Sequence, residues 1–286
     1  MSLAVVRDRH AARFRQVVRE TTGIQLPESK AGMIEGRLRP RLVALGLGDV
    51  ASYFNFLFED GGLRGELPFV VDLITTNKTD FFREEAHFKA LWRMMIPRAL
   101  ETRRRAGRVP FKLWSAAAST GAEAWSAAMV LEEARATSPE LDWAVLGTDI
   151  SQRVLAAARR AIYPESELAP VPAALRDRYA MVGRDADGAP LRRIVPELRQ
   201  RVRFEELNLM AGSFAVDRDL DAVFLRNVLI YFDGPTQLRV IAAVVSHLRP
   251  GGHLVVGHAE SMIVRQAGLK AIAPAVFEKL GTGDPP

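Results

Sequence analysis

Residues 113–123 read Leu-Trp-Ser-Ala-Ala-Ala-Ser-Thr-Gly-Ala-Glu and are the most informative segment of this chain. The pattern predicts an apolar strand that runs into a loop of small residues and then into a helix. Small side chains let a ligand approach the backbone, and the first turn of a helix has N–H groups without intrahelical partners. With only Gly121 as glycine and no lysine, the loop matches neither the dinucleotide nor the nucleoside triphosphate fingerprint. A purely structural turn between strand and helix is an equal alternative.

Beyond this segment, short apolar runs alternate with amphipathic segments, which predicts an α/β fold with a parallel sheet covered by helices. The predicted strands are Phe111–Ala116, Trp143–Thr148, Ala222–Leu225, His253–Gly257 and Val276–Leu280. The predicted helices are Ala122–Ala136, Ser151–Ala161 and Pro235–Leu248. An Asp-Ala-Asp-Gly-Ala-Pro turn at residues 185–190 separates two alternating runs, the second being Leu191 to Val202. It predicts a small antiparallel β insertion at about residues 172–204.

The N-terminal region has a different pattern. Phe14 and Val18 recur at helical spacing, and so do Leu38 and Leu42. The predicted domains are a helical N-terminal domain at residues 1–70 and an α/β domain at residues 71–286.

Composition limits the classes of function. The absence of cysteine excludes disulfides, thiolate zinc sites and a cysteine nucleophile. The five histidines have no metal-binding spacing along the chain, so we expect chemistry without a metal. Apolar stretches such as residues 127–131 are far shorter than the ~20 residues of a membrane span. The first ten residues lack a signal-peptide layout, so we expect a cytoplasmic protein without membrane insertion.

Polar residues follow two of the predicted strands. Asp149 comes after the second strand, where nucleotide-binding α/β folds have an acid that binds ribose hydroxyls. Asp149 as the N-cap of the following helix is an equal alternative, but together with the small-residue loop an adenosyl ligand is favoured. Arg226, Asn227 and Tyr231 follow the Ala222–Leu225 strand and predict a site at the same sheet edge. The alternative is an Arg–Asp ion pair with an asparagine turn.

A fourth polar segment, residues 75–84, is Thr-Thr-Asn-Lys-Thr-Asp-Phe-Phe-Arg-Glu. Taken alone, it predicts a loop that caps a helix, with Asp80 as a possible N-cap and Phe81 and Phe82 buried in the core.

Four segments, in order along the chain, resemble the CheR family of chemotaxis receptor methyltransferases. Residues 76–83, Thr-Asn-Lys-Thr-Asp-Phe-Phe-Arg, resemble the family's Thr-Asn-x-Thr-x-Phe-Phe-Arg. Residues 114–121 resemble its cofactor loop, and residues 226–233, Arg-Asn-Val-Leu-Ile-Tyr-Phe-Asp, are nearly its signature. Residues 257–260, Gly-His-Ala-Glu, resemble its Gly-His-Ser-Glu. Four segments in the family's order are far more specific than any one of them.

The resemblance implies a Rossmann-like S-adenosylmethionine-dependent methyltransferase domain with a small antiparallel β insertion, preceded by a small all-helical domain. It implies that the cofactor is bound by Asn77, Thr79, Arg83, Glu123, Asp149, Asn208, Leu209, Arg226 and Asn227. It also implies that Arg83 and Tyr231 lie near the transferred methyl group and take catalytic roles. One position departs from the family, because the usual Gly-Glu-Glu-Pro-Tyr is Gly121-Ala-Glu-Ala-Trp here. The acid at position 122 is lost, and Glu123 is left to balance the ligand's positive charge.

The activity that the resemblance implies is methyl transfer to glutamate side chains of chemotaxis receptors, for sensory adaptation. A carboxylate acceptor is ionised at neutral pH and needs no strong general base. The alternatives are the same chemistry on a non-chemotaxis signalling protein or small acid, and a non-catalytic S-adenosylmethionine-binding regulatory protein.

The net charge of +5 is unevenly distributed. Arginines cluster in the first 41 residues, at positions 7, 9, 13, 15, 19, 37, 39 and 41. A solvated helix face and electrostatic steering toward acidic receptor helices are equal alternatives. Nucleic acid is a weaker prediction, because no aromatic residues are interleaved with the arginines. Residues 181–188 lack the glycine-rich pattern expected of members that dock a receptor's C-terminal peptide, so we expect recognition without such a tether.

Overall fold

The computed structural model describes residues 3–103, 107–264 and 268–281, with side chains from residue 9 onward. Within these ranges the N-terminal part folds into α1 (Leu3–Thr22), α2 (Ala31–Leu45), α3 (Val50–Phe58) and α4 (Leu63–Ile74). Their apolar faces meet in one core that includes Phe14, Leu38, Tyr53 and Leu57. The Asp49 carboxylate accepts the Ser52 N–H at 2.8 Å and so begins α3.

A buried ion pair ties three of these helices together. Arg41 of α2 donates to the two oxygens of Glu66 of α4 at 2.7 and 2.6 Å, and the Tyr53 hydroxyl of α3 donates to the same carboxylate at 3.0 Å. The hydrogen bonds from Arg41 hold the pKa of Glu66 below its usual value, although burial opposes this. Burial, followed by the charge of Glu66, raises the pKa of Tyr53.

A continuous helical segment follows the N-terminal part and leads into the sheet. It consists of α5 (Ala86–Ala90), a π-helical turn (Leu91–Met95) and α6 (Ile96–Arg103). Its inner face contributes Phe88, Leu91 and Met95 to the core of the α/β part.

The rest of the described chain contains ten strands and five further α-helices, together with short 3₁₀ turns. The strands are β1 (Val109–Ala116), β2 (Leu141–Asp149), β3 (Ile162–Pro164), β4 (Ala180–Arg184), β5 (Pro190–Ile194), β6 (Val202–Glu206), β7 (Leu220–Leu225), β8 (Leu248–Val256), β9 (Leu269–Ala273) and β10 (Val276–Lys279). The helices are α7 (Ala122–Thr137), α8 (Gln152–Arg160), α9 (Ala173–Tyr179), α10 (Pro196–Arg199) and α11 (Gly234–Val245).

The main sheet has the strand order β6-β2-β1-β7-β8-β10-β9. Strands β6, β2, β1, β7 and β8 are parallel, and β10 is antiparallel to both of its neighbours. The chain goes from β1 to β2 and β6 on one side and then returns to β7 on the other. The carboxyl ends of β1 and β7 therefore flank the switch point, where ligands bind in open α/β sheets.

Buried side chains cover both faces of this sheet. Trp125, Trp143 and Phe204 belong to the core on one face, and Trp114 and Val240 belong to the core on the other. This confirms the predicted parallel sheet with helices on its faces. No helix within the described ranges is long and apolar enough to cross a membrane.

The small antiparallel sheet has the strand order β3-β5-β4, and its β4–β5 hairpin turns where the sequence predicted a turn. Two details differ from the prediction. Strand β3 precedes residue 172, and the run from Leu191 to Val202 is not one strand, because α10 interrupts it. Residues 202–206 form β6, the edge of the main sheet. An edge strand is half-exposed, so its alternating pattern cannot be distinguished from that of a surface hairpin.

Candidate active site

A cleft opens at the carboxyl ends of β1, β2 and β7, with a free volume of about 940 Å³ counted to its open mouth. The segment after α4, the loops that follow these strands and the end of α1 contribute to its walls. All ten residues implied by the resemblance line it, namely Asn77, Thr79, Arg83, Glu123, Asp149, Asn208, Leu209, Arg226, Asn227 and Tyr231. The fold therefore brings together residues that are far apart in the sequence.

Asp149 ends β2 and is buried at the cleft. Its Oδ2 accepts the Ser119 N–H at 2.9 Å, and its Oδ1 accepts the Ser151 N–H at 3.0 Å. Burial raises the pKa of this carboxyl, and the backbone N–H groups oppose the rise because they favour the ionised form. The alternative of Asp149 as a helix N-cap is wrong. The cap of α8 is Ser151, whose hydroxyl accepts the Val154 N–H at 3.3 Å.

Arg226 is 6% exposed and pairs with two acids from different segments. Its Nη1 donates to Glu123 at 2.9 Å, and its Nη2 donates to Glu84 at 3.1 Å and to the Arg83 carbonyl at 2.6 Å. The other oxygen of Glu123 accepts the Ser115 hydroxyl at 2.6 Å. Burial alone would raise the pKa of Glu84, but the hydrogen bond and charge of Arg226 hold it below its usual value. Arg226 thus forms ion pairs with two glutamates, and the predicted Arg–Asp alternative is wrong.

The loop after β7 is held by a buried acid that sequence reasoning missed. Asn227 has a φ of +59°, in the left-handed region. Glu260 is 0% exposed, and it accepts the N–H groups of Asn227 at 2.7 Å, Leu229 at 2.8 Å and Gly257 at 2.8 Å. Burial raises the pKa of Glu260, against the effect of these N–H groups. The signal in the sequence was an acid within the Gly-His-Ala-Glu segment, whose role becomes visible only when the loop lies beside it.

The segment between α4 and α5 forms one wall of the cleft. The Ser119 hydroxyl donates to the Asn77 carbonyl at 2.8 Å, and the Phe82 N–H donates to the Ser126 hydroxyl at 2.9 Å. These bonds fasten the Thr-Asn segment to the small-residue loop and to α7. The polar run at residues 75–84 is therefore part of the cleft rather than a simple helix cap.

For this segment, the prediction of two buried phenylalanines is confirmed and the prediction of an Asp80 N-cap is wrong. Phe81 and Phe82 are buried, as predicted. Asp80 is not an N-cap, because α5 begins at Ala86, with Glu85 in the capping position and no side-chain cap bond. Phe82 adopts a φ of +52°, which is incompatible with a helix that starts at Asp80.

The end of α1 contributes a wall that the sequence patterns did not predict. Thr22 and Ile24 line the cleft. The Asn208 side-chain amide donates to the Thr21 carbonyl at 2.6 Å, and the Gln25 N–H donates to the Tyr231 carbonyl at 3.0 Å. These bonds place the helical part against two of the predicted site segments. No local periodicity signals such a contact.

The sequence of this chain matches two protein-family models. "CheR methyltransferase, SAM binding domain" matches residues 77–275, and "CheR methyltransferase, all-alpha domain" matches residues 9–75. The chain belongs to the CheR methyltransferase family. Its fold class and its cofactor, S-adenosylmethionine, agree with the expectations from the resemblance, and this CheR protein is an S-adenosylmethionine-dependent methyltransferase.

Curated relatives cover most of this CheR chain. It is 40% identical over 260 residues to "Chemotaxis protein methyltransferase 2" of Pseudomonas aeruginosa, covering 89% of each chain. It is 40% identical over 254 residues to "Chemotaxis protein methyltransferase" of Escherichia coli, covering 89% of this chain and 85% of the relative. The identity to the Salmonella typhimurium protein of the same name is 38% over 265 residues, covering 92% and 88%.

The residues of the CheR cleft fit S-adenosylmethionine. Asp149 offers carboxylate oxygens at the end of β2, and the aliphatic side chains of Ile150, Leu209 and Val228 offer an apolar wall for a base. Gly121 has a φ of +87°, and a Cβ there would lie 2.9 Å from the Ala158 Cβ of α8 and 2.9 Å from the Phe204 Cζ of β6, so glycine lets α7 start close to both elements. The donor set and the small-residue loop suit an adenosyl ligand.

The departure from the family pattern lies away from the cleft surface. Ala122, the first residue of α7, is 2% exposed and packs in the core, whereas Glu123 lines the cleft. The acid that this CheR protein retains is therefore the one that faces the ligand site.

Proposed function

We propose that this CheR protein transfers the methyl group of S-adenosylmethionine to glutamate side chains of chemotaxis receptors, forming glutamate methyl esters. The observation that carries the proposal is a difference between the two cleft arginines. Arg226 is paired with two carboxylates, those of Glu84 and Glu123. Arg83 has no carboxylate partner in the described part of the chain, where its guanidinium donates one hydrogen bond, to the Lys78 carbonyl at 3.4 Å. A cationic fork without an acid is suited to an incoming carboxylate.

For this methyl transfer, the main role of the protein is to position the cofactor and the acceptor carboxylate. Bound S-adenosylmethionine supplies a methyl group on a positively charged sulfur. The acceptor carboxylate is ionised at neutral pH, so no general base is required. Arg83 would orient the carboxylate, and the Tyr231 hydroxyl would hold one of its oxygens. The acceptor and the bound cofactor would together exclude water from the reacting atoms.

Different residues of the cleft would bind different parts of the cofactor. Asp149 would accept hydrogen bonds from ribose hydroxyls, and Leu209 would pack against the base. Glu123 and its partner Arg226 would face the charged end, where Asn77 and Thr79 supply further polar groups. Asn208 and Asn227 would act through the backbone turns that they shape.

The acceptor is tested by label transfer. Receptor-containing membranes are incubated with this protein and S-adenosylmethionine labelled in the methyl group. We expect label on the receptor that mild base releases, because methyl esters are base-labile, and we expect no label on a receptor whose target glutamates are glutamines. Base-stable label, or label on other proteins alone, would overturn the assignment of the acceptor.

Replacing Arg83 tests the proposed orienting role. We expect Arg83→Ala to lower kcat by about 100-fold, because a misplaced acceptor costs roughly two orders of magnitude. The affinity for S-adenosylhomocysteine, measured by calorimetry, should change much less. Lys78→Ala, which removes an exposed cation of the same wall, is the matched control and should keep its kcat. A normal kcat in Arg83→Ala with weakened product binding would place Arg83 with the cofactor alone.

We also propose that receptor recognition here does not depend on a tether. A receptor that lacks its C-terminal residues should be methylated at the same rate as the intact receptor. A large loss of rate would show that a C-terminal peptide docks on this protein, with the β4 edge of the small sheet as the candidate position.

A further inference from the structure

Glu84, His87 and His258 form a cluster beside the cleft. One ligand-type atom from each residue lies within 4.8 Å of the others, and no other such group of three is found in the described ranges. The Nδ1 of His87 is 3.4 Å from Oε2 of Glu84, and the two imidazole rings meet edge to face with centroids 4.8 Å apart. Two imidazoles and one carboxylate are a common donor set for zinc and related metals.

His87 provides a second, independent observation. It is 1% exposed, and neither of its ring nitrogens has a partner at hydrogen-bonding geometry in the part of the chain that the structure describes. The Pro274 carbonyl lies near the ring without meeting that geometry. Buried polar groups nearly always have a partner, and one that lacks it calls for a specific explanation. A ring nitrogen that faces a carboxylate and a second imidazole is placed as a metal ligand would be.

We propose that Glu84, His87 and His258 bind a divalent transition-metal ion of the zinc class. Tetrahedral zinc with bonds of about 2.1 Å separates its ligand atoms by about 3.4 Å. The Glu84–His87 pair already has this separation. His258 is exposed, and a small rotation of its side chain would close the remaining gap. The fourth position would be taken by water.

The site is coupled to the cleft through Glu84. The Oε2 of Glu84 that faces His87 also accepts from Arg226 at 3.1 Å, and its Oε1 accepts from the Asn227 amide at 3.5 Å. A bound dication would compete with Arg226 for this carboxylate and would repel the guanidinium. Because Arg226 and Asn227 line the cofactor cleft, the metal would lower the affinity for S-adenosylmethionine, and the cofactor would lower the affinity for the metal by the same factor.

The first test is a titration of the untagged protein with Co²⁺, followed by visible absorption. The absence of cysteine removes thiolate sites that would compete for the ion. We expect one Co²⁺ per chain, displaced by Zn²⁺, and at least tenfold weaker binding in His258→Gln, whose exposed position favours normal folding. His10→Gln, which lies in the helical part, is the control and should bind like the wild type. Equal affinity in the wild type and His258→Gln would overturn the site.

The second test measures the coupling. Calorimetric titration with S-adenosylhomocysteine is carried out with saturating Zn²⁺ and with a chelator. We expect Zn²⁺ to weaken binding at least fivefold in the wild type and to have no effect in His258→Gln. An unchanged affinity in the Zn²⁺-loaded wild type would refute the coupling. Both readouts are independent of methyl transfer, so a failed receptor assay would not affect them.

Discussion

Asp149 keeps a buried carboxylate at the end of β2 because two backbone N–H groups stabilise its charge. Ser119 and Ser151 donate to different oxygens, so the carboxylate joins the small-residue loop to the start of α8. The same carboxylate oxygens retain lone pairs that can accept hydrogen bonds from a ligand. At the scale of the residue, one side chain both shapes the cleft and offers it acceptors.

Asp149→Asn should weaken binding of S-adenosylhomocysteine by roughly 10- to 100-fold. An amide cannot accept from both N–H groups and from the ligand, and hydrogen bonds to charged groups contribute about 1.5–3 kcal/mol. Calorimetry measures the change. Asp217→Asn, an exposed acid paired with Lys112, is the matched control and should bind normally. An unaltered affinity in Asp149→Asn would remove this residue from the cofactor site.

Glu260→Gln should loosen the loop that carries Asn227 and Tyr231. The amide group of glutamine would oppose backbone N–H groups that the carboxylate accepts, so the free energy of unfolding should fall by about 1–3 kcal/mol. We expect kcat to fall more than product affinity, because the loop reaches the acceptor side of the cleft. Urea unfolding and steady-state kinetics measure the two effects, with the exposed Glu205→Gln as control. Unchanged stability would contradict the anchoring role.

At the scale of elements, the contact between α2, α3 and α4 depends on Glu66. Its carboxylate is the shared acceptor for Arg41 and Tyr53, so the three helices meet at one charge. Arg41 also stacks over the Phe69 ring at 3.7 Å, which adds a contact within the same helix pair. Glu66 therefore lies in the mostly apolar buried face of α4 with both of its partners on neighbouring helices.

Glu66→Gln should destabilise the protein by about 2–3 kcal/mol at neutral pH, because it leaves the buried side of Arg41 without its counter-charge. The folded pKa of Glu66 lies below its ordinary 4.5, so its contribution is complete above that pH and is lost as the pH falls through the folded value. The difference between wild type and variant should therefore shrink below pH 4.5. Urea unfolding at several pH values measures it, with the exposed Glu35→Gln as control. A constant difference would contradict the charge-based explanation.

At the scale of the whole molecule, the helical part and the α/β part build the cleft together. Gly23 links them with a φ of +76°, and a Cβ there would lie 2.6 Å from Met210 Sδ and 2.9 Å from Phe232 Cδ1. The next residue, Ile24, lines the cleft. The close approach at Gly23 therefore sets where the helical wall lies.

Gly23→Ala should lower both stability and cofactor affinity. The left-handed backbone alone costs about 1 kcal/mol for a residue with a side chain, and the clash with Phe232 should displace Ile24 from the cleft. Thermal unfolding and calorimetry with S-adenosylhomocysteine measure the two effects. Gly36→Ala on an exposed helical position has no atom within 4 Å of the added Cβ and should be neutral or stabilising. Normal binding in Gly23→Ala would show that the helical wall is dispensable.

The N-terminal arginines divide into two groups. Arg15 pairs with Glu28, Arg37 donates to the Ile74 carbonyl and Thr76, and Arg41 pairs with Glu66, so these three stabilise the helical part. Arg13 stacks over the Phe58 ring at 4.6 Å, and the exposed arginines of α1 and α2 at positions 9, 19 and 39 are available for steering. The side chain of Arg7 lies outside the described residues. Electrostatic steering toward receptor helices stays a prediction.

Sequence patterns alone were sufficient for the strands β1, β2, β7, β8 and β10, because buried parallel strands appear as local apolar runs. The ten cleft residues were implied by the resemblance, with Asp149, Asn208 and Leu209 outside its four segments, and not by these patterns. The patterns failed at residues 202–206, where a half-exposed edge strand resembles a hairpin strand, and at Asp80, where backbone geometry rather than composition sets the start of α5. The limits of the domains stay a prediction.

Tertiary structure alone determined which charges meet. Arg226 finds Glu84 and Glu123 across long stretches of sequence, and Glu260 finds the N–H groups of a loop 30 residues earlier. His258 reaches His87 in the same way. These partners depend on the order in which strands lie in the sheet, and strand order leaves no periodic signal in the sequence. The sequence therefore specifies the cofactor and the family, whereas the packing of the sheet determines the partners of each charged side chain.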